Sequence, residues 1–344
     1  MAASLHYGNP LVEQRKLVEA KALVNFGARG IIKVTGPDRL DWLHSLLSQN
    51  LKNLLPGQSA EALLLDPNGH IEQVIHFIDD GESSWLIVEP EQLESLLAWL
   101  QKMVFRMRVK LADVSGLYSV VGSLGAEISK PASSNQVDLV WNDPWPGVVT
   151  GGVRYSMARP AVWPWSETLV ANEDLAEVLA GHELAGTMAY EALRIAARRP
   201  AMATEVDEKS LPHEYDWLST AVHLSKGCYR GQETVAKVHN LGHPPRRLTF
   251  LHLDGSGHDL PEHGDEVRVA GTEQSRGLIT SSAQHYEMGP IALAILSRST
   301  PEGANLVVVG NHGDIDASQE VIVPQSAGKA ADLPKRNLLM GGRH

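Results

Sequence analysis

The segment Lys226-Gly227-Cys228-Tyr229-Arg230-Gly231-Gln232-Glu233-Thr234 carries the one cysteine in a chain of 344 residues. Its thiol stands two residues after a lysine and two before an arginine. Nearby positive charge favours the thiolate, the nucleophilic form of cysteine. Gly227 and Gly231 allow the backbone to turn tightly and approach a ligand. Lys226 and Arg230 are able to meet an anionic group, arginine through paired N–H donors. The plainer alternative is a small apolar cysteine in a turn whose charged neighbours face water. Residue types alone allow both.

The elements that must position this loop show in the apolar periodicity. After the loop, Thr234-Val235-Ala236-Lys237-Val238 alternates and predicts a strand. Residues 30–34 predict another strand, and Pro37 opens a helix with Leu40, Leu43 and Leu47 on one face. Residues 60–66 and 71–78 flank Pro67-Asn68-Gly69 as a hairpin, and 84–88 form a further strand. Pro90 begins a helix with Leu93, Leu96, Leu97, Leu100 and Val104 at helical spacing. This order suits a ferredoxin-like layer of helices on an antiparallel sheet. Residues 117–121 read as a strand, and 173–179 and 188–198 as helices. Trp141, Trp145, Trp163 and Trp165 lie in a Pro/Gly-rich stretch of weak periodicity. Such aromatics fill cores more often than they stack on ligands. After Pro244-Pro245, residues 247–253, 266–270, 277–282, 291–296 and 306–309 predict short strands separated by turns, hence a small β-barrel or sandwich.

Composition narrows the function. Hydrophobic residues at 43% and charged residues at 21% describe a globular chain. A net charge of -11 disfavours non-specific binding to nucleic acid or an anionic membrane. One cysteine excludes an internal disulfide and an all-cysteine metal cage. No HExxH or paired metal spacing occurs, so no metal site is expected. No uncharged apolar run reaches membrane-spanning length. The first residues lack a secretory-signal pattern, and a cytoplasmic location is the expectation.

The stretch KGCYRGQE resembles the signature of the YgfZ family, folate-binding proteins related to the aminomethyltransferase (T-protein) of the glycine cleavage system. The resemblance runs from about Leu23 to about Pro324. It is supported by Lys33-Val34-Thr35-Gly36-Pro37-Asp38, Gln49-Asn50, Leu65-Asp66-Pro67-Asn68-Gly69, Tyr190 to Ile195 and Asp207 to Glu214. It implies an α+β aminomethyltransferase-like fold of several domains. These are a ferredoxin-like folate-binding domain over residues 1–115, a second α+β domain with the cysteine loop over 116–244, a β-barrel over 245–324 and a disordered tail over 325–344.

The resemblance also implies tetrahydrofolate, or a one-carbon derivative, as cofactor. The residues it nominates for folate are Gln49, Asn50, Asp66, Gly69, Lys226, Tyr229, Arg230, Gln232 and Glu233, with Cys228 as a reactive thiolate. Two departures matter. Aminomethyltransferases carry an Asp-Asp pair after a Gly-Gly hairpin. Here Gln73 and Val74, or in the neighbouring register Glu72 and Gln73, take those places. A one-residue shift turns a strand side chain to the opposite face, so the two registers differ in what faces the ligand. Ala196 stands where the family often has a glutamate. The implied role is therefore a folate-dependent accessory factor for iron–sulfur enzymes, including tRNA-modifying radical enzymes, with client iron–sulfur proteins as partners. A folate-dependent aminomethyltransferase or demethylase is the alternative, and a thiol redox or interaction protein is the third reading. Direct contact with nucleic acid or membrane is not expected.

Overall fold

The computed structural model describes residues 3–27, 29–156, 163–256, 259–310 and 313–331. Strand β1 (Ala22–Gly27) follows helix α1 (Pro10–Val18), whose N-cap Asn9 accepts from the Leu11 and Val12 N–H groups. Then come β2 (Gly30–Thr35), α2 (Arg39–Leu46), β3 (Ser59–Leu65), β4 (Ile71–Asp79), β5 (Ser83–Val88), α3 (Pro90–Lys102) and β6 (Lys110–Asp113). The middle of the chain supplies β7 (Tyr118–Leu124), a ribbon of β8 (Ser133–Ser134) and β9 (Val137–Asp138), β10 (Val140–Asn142), β11 (Trp165–Ala171), α4 (Leu175–Ala180) and β12 (Glu183–Ala185). Three helices follow, α5 (Thr187–Ala196), α6 (Met202–Glu205) and α7 (Gln232–Leu241). The last six strands are β13 (Arg246–Leu253), β14 (Glu266–Val269), β15 (Ser275–His285), β16 (Gly289–Ser297), β17 (Leu306–Gly310) and β18 (Gly313–Val321).

Among the described residues, two five-stranded sheets and a barrel form beside the two-stranded β8–β9 ribbon. The first has the order β3-β4-β5-β2-β6, all antiparallel. Its alternation decides what each face meets. Ile32, Val34, Leu64, Ile75, Phe77 and Leu86 pack under α2 and α3 with Trp42, Leu43, Leu96 and Leu100. Ile31, Leu63, Val74, Trp85 and Ile87 point the other way, into the central core. Burial on both faces explains why these strands read as nearly continuous apolar runs. The second sheet, β10-β11-β7-β1-β12, supplies Val24, Val120, Trp141, Trp165 and Leu169 to that same core. The last six strands close into the barrel β13-β16-β15-β14-β17-β18 around Leu251, Val267, Ile279, Leu296 and Val308. The fold class is thus α+β with a six-stranded closed barrel, as expected.

Two expectations are corrected. The strand expected at 234–238 is part of helix α7. Gly231, at φ +81°, ends the extended chain just before it. Val235 and Val238, three apart, share a helical face but would stand on opposite faces of a strand, and only Val235 is fully buried. Residues 325–331 are held rather than free: Ala327 is buried, and the Ala330 and Ala331 N–H groups donate to the His239 and Asn240 carbonyls of α7. The rest of the expected tail, 332–344, lies outside the described residues. No helix among the described residues is long and apolar enough to cross a membrane.

Candidate functional site

Where the first two sheets face each other, β4 and β5 meet β10 and β11 around a small internal cavity of about 40 Å³. Its wall includes Arg29, Val74, His76, Trp141, Asp143, Trp165, Glu167, Tyr190 and Arg199. Pairing registers explain the convergence. Trp141 on β10 stands opposite Glu167 on β11, and His76 of β4 reaches both. The His76 ring stacks on Trp141 at a centroid distance of 3.6 Å, and His76 Nδ1 lies 2.8 Å from Glu167 Oε2. Strand alternation thus puts Val74 and His76 on the cavity side, while Ile75 and Phe77 face the helices.

The cavity is unusually charged for its burial. Arg29 pairs with Glu89 and lies 3.8 Å from Glu167. Burial alone would raise the Glu167 carboxyl, but His76 and Arg29 outweigh it and hold its pKa at about 2. Arg199 Nε donates to Asp143 at 3.0 Å and Nη2 to Glu61 at 2.5 Å. Burial would raise Glu61 too, yet the Arg199 charge keeps it below the usual range. Asp143 goes the other way: burial raises it despite Arg199. Burial also pushes the Tyr190 phenol well up.

Three polar atoms on this wall are sealed from solvent and outside close hydrogen-bond distance: Arg199 Nη1, Trp165 Nε1, which helps to lower the Glu167 carboxyl, and Glu167 Oε1, which lies 3.8 Å from Arg29. A buried polar group lacking a partner is costly and calls for an explanation such as a bound water or a role in the site. Together they present one acceptor and two donors.

A second, open cleft of about 650 Å³ adjoins the first and shares Met202 with it. That volume is typical of small-molecule sites. Gln92 in the inner wall donates to Gln73 in the cleft wall at 2.7 Å. Asp66, His70, Glu72 and Trp99 also line the cleft.

The cysteine loop reaches this cleft through Arg230, which pairs bidentately with Glu72 at 2.6 and 3.2 Å and lies over Trp99. Cys228 is exposed and makes no hydrogen bond. The two cations expected to frame its thiol are engaged elsewhere. Lys226 is buried, and its Nζ donates to the carbonyls of His44, Leu47 and Gln49 at the end of α2. Three donors meet three carbonyls because that helix end has unpaired acceptors. Lys226 also lies 5.0 Å from the ring of buried Tyr229. Gln232 Nε2 donates back to the Lys226 carbonyl, and Glu233 is exposed.

The remaining nominated residues are placed as follows. Gln49 is buried and donates to the Thr220 carbonyl, while Asn50 Oδ1 is sealed without a partner. Asp66 accepts from the Asn68 and His70 N–H groups. Gly69, at φ +85°, packs against Thr234 and Gly231. The loop, the hairpin and the end of α2 are therefore brought together, but none of the nominated residues lines the inner cavity. The residues that do line it escaped sequence reasoning. The Trp cluster was the available signal, and Trp141 and Trp165 serve both core and cavity.

Burial pulls the Lys226 pKa from 10.5 to about 7. The folded state then binds fewer protons than the unfolded state between those values, so this group makes stability rise with pH across that window. Lys226→Met is expected to abolish that rise. Urea unfolding of both proteins from pH 7 to 10 checks it; parallel curves would show that the three carbonyls hold the ammonium throughout.

The solved aminomethyltransferase T of the glycine cleavage system from Bartonella henselae superimposes with a TM-score of 0.72, covering 94% of this chain and 91% of that one at 16% identity. The fold is that of an aminomethyltransferase. No family model matches the chain. A candidate chloroplastic transferase of Arabidopsis thaliana is 26% identical over 310 residues, covering 84% of this chain and 68% of the relative. An aminomethyltransferase of Moorella thermoacetica is 25% identical over 93% of this chain and 90% of its own length. A mitochondrial iron-sulfur cluster assembly factor IBA57 homolog of Mycosarcoma maydis is 25% identical over 70% of this chain and 63% of its own length. The homologues are thus aminomethyltransferase-like proteins, one of which is an iron–sulfur assembly factor homolog.

Proposed function

We propose that this chain is a tetrahydrofolate-binding accessory factor for the assembly or maintenance of iron–sulfur enzymes, including tRNA-modifying radical enzymes, and that it is of the YgfZ kind. One observation carries the reading. A cavity with unpaired buried donors and an acceptor opens beside a ligand-sized cleft whose rim is tied to the Cys228 loop. The residues fit a reduced pterin. Its adjacent N–H groups suit Glu167 Oε1, and its ring carbonyl suits Arg199 Nη1 and Trp165 Nε1. The inner cavity has room for only a few water molecules, so it takes an edge of the ring and the cleft takes the remainder. When bound, tetrahydrofolate supplies a nitrogen that carries one-carbon units.

Cys228 is the group this reading presents to a client. A lone thiol does not hold a four-ligand cluster, so iron–sulfur cargo is shared with the partner. A cytoplasmic location, and no direct contact with nucleic acid, belong to the same reading. The names of two relatives are organellar.

Calorimetric titration with tetrahydrofolate tests it. Cys228→Ala is expected to keep the wild-type affinity and lose the activity of the iron–sulfur client. A collapse of affinity in that variant would make the thiol a pocket wall. Wild-type protein that binds no folate at high concentration leaves only the thiol-based interaction reading. The aminomethyltransferase or demethylase alternative draws on relatives of that name, and the missing Asp pair weighs against it.

A further inference from the structure

His76 has a second ring nitrogen with nothing assigned to it. Nδ1 faces the Glu167 carboxylate at 2.8 Å and donates to it, so in the neutral ring Nε2 is the nitrogen that has the lone pair. Nε2 makes no hydrogen bond, yet it is not among the sealed atoms of the cavity wall. It is therefore an accessible proton acceptor. The ring is fixed from two sides, by the Trp141 stack and by Glu167. A histidine oriented by a buried carboxylate is the arrangement used for general-base chemistry.

The location matters. His76 lies on the strand that follows the hairpin, the one on which aminomethyltransferases carry their aspartate pair. Here Gln73 is spent on Gln92 and Ser95, Glu72 on Arg230, and Val74 is apolar. The charged groups around His76 are Glu167 and Glu61 on its carboxylate side, Asp143 beyond Arg199, and Arg29 paired with Glu89. The carboxylates around the ring outnumber the cations.

We propose that His76 is a general base for a ligand held in this cavity, with Glu167 as its positioning residue. The chain thereby keeps a proton-transfer group although the aspartate pair is missing. This rests on the folate reading for the identity of the ligand. In the step inferred, His76 Nε2 takes the proton of a ligand amine as that nitrogen's lone pair bonds to the carbon of an iminium ion. The N–H bond breaks and its electrons stay on nitrogen. The iminium π pair moves to the donor nitrogen, and the positive charge ends on the imidazolium beside Glu167. In reverse, the imidazolium returns the proton and the carbon–nitrogen bond opens.

The test uses the full chain and three readouts. Calorimetry with 5-formyltetrahydrofolate measures binding. NMR titration of the His76 ring reads its tautomer and pKa in wild type and in Glu167→Gln. Exchange of a 13C-labelled methylene group between methylenetetrahydrofolate and methylamine reads the chemistry at pH 8.5. Wild type is expected to bind, to show the Nδ1–H tautomer, and to speed exchange about 100-fold over buffer. Its pH profile should follow the NMR pKa of His76. His76→Gln should fall to the buffer rate while losing less than about tenfold in affinity, and Glu167→Gln should lower the His76 pKa and move the pH profile with it. Binding without acceleration, or an unchanged rate and profile in His76→Gln, overturns the proton-transfer role and leaves the folate reading standing. Absence of binding overturns both.

Discussion

Arg199→Met is expected to lower the unfolding free energy by about 3–5 kcal/mol, the usual cost of stranding a buried charge. Arg199 is 4% exposed and bridges Glu61, itself fully buried, to Asp143. Methionine keeps the apolar stem of the side chain but is shorter, carries no charge and loses the guanidinium that lies over Trp145. Glu61 would keep only Trp217 Nε1 and Thr220 Oγ1, and Asp143 would keep Trp163 Nε1 and the Trp145 N–H. Both carboxyls would then rise in pKa, since the nearest cation is gone. The deficit should therefore shrink as pH falls from 7 towards 4, where protonation relieves the stranded charges. Urea unfolding across that range checks both parts. A loss under about 1 kcal/mol, or one independent of pH, would mean that water reaches the cluster.

Gly231→Val is expected to cost about 3 kcal/mol and to lift the cysteine loop off the hairpin. Gly231 sits at φ +81°, a conformation that a β-branched residue adopts only under strain. A Cβ there would lie 2.6 Å from the Asp66 carbonyl oxygen and 2.9 Å from the Gly69 Cα. Both are backbone atoms, so no side-chain rotation relieves the clash. Gly231 is also the N-cap residue just before α7. Faster amide exchange in the first turn of α7, with loss of client activity and retention of the Arg199 cluster, is the expected signature. Gly227→Ala is the internal control. Nothing lies within 4 Å of its Cβ position, and its stability should stay within about 0.5 kcal/mol of wild type. Equal damage from both substitutions would reject the claim that Gly231 docks the loop.

These two substitutions separate the halves of the site. Arg199 belongs to the inner cavity, and Gly231 to the seam between loop and hairpin. Arg230 and Glu72 join them at the cleft rim, at 30% and 37% side-chain exposure. An ion pair that open to water adds little stability. Its importance is positional, because it fixes the loop carrying Cys228 beside the cleft.

Sequence reading succeeded where a residue's neighbours in the chain determine its surroundings. The apolar runs of β2 to β5, the leucine face of α3 and the spaced strands of the barrel were visible because periodicities of 2 and 3.6 are local properties. The α7 segment was misread: Val235 and Val238, three apart, share a face only in a helix, and the left-handed Gly231 starts that helix just after the cysteine loop. KGCYRGQE was conspicuous as a run of uncommon residues, and the structure leaves Cys228 exposed beside the hairpin.

By itself, then, the sequence determined the α+β class and a terminal run of short strands, while barrel closure and the exposure of the thiol came from the structure. Only the tertiary structure decided which charges are partners. Arg29, Glu61, His76, Asp143, Glu167 and Arg199 come from six separate strands and loops, and they meet because two sheets close face to face. The direction of Lys226, turned into the end of α2 rather than toward the thiol, was settled in the same way. Burial multiplies the strength of an electrostatic interaction, and burial is a property of the closed fold that no stretch of chain possesses alone.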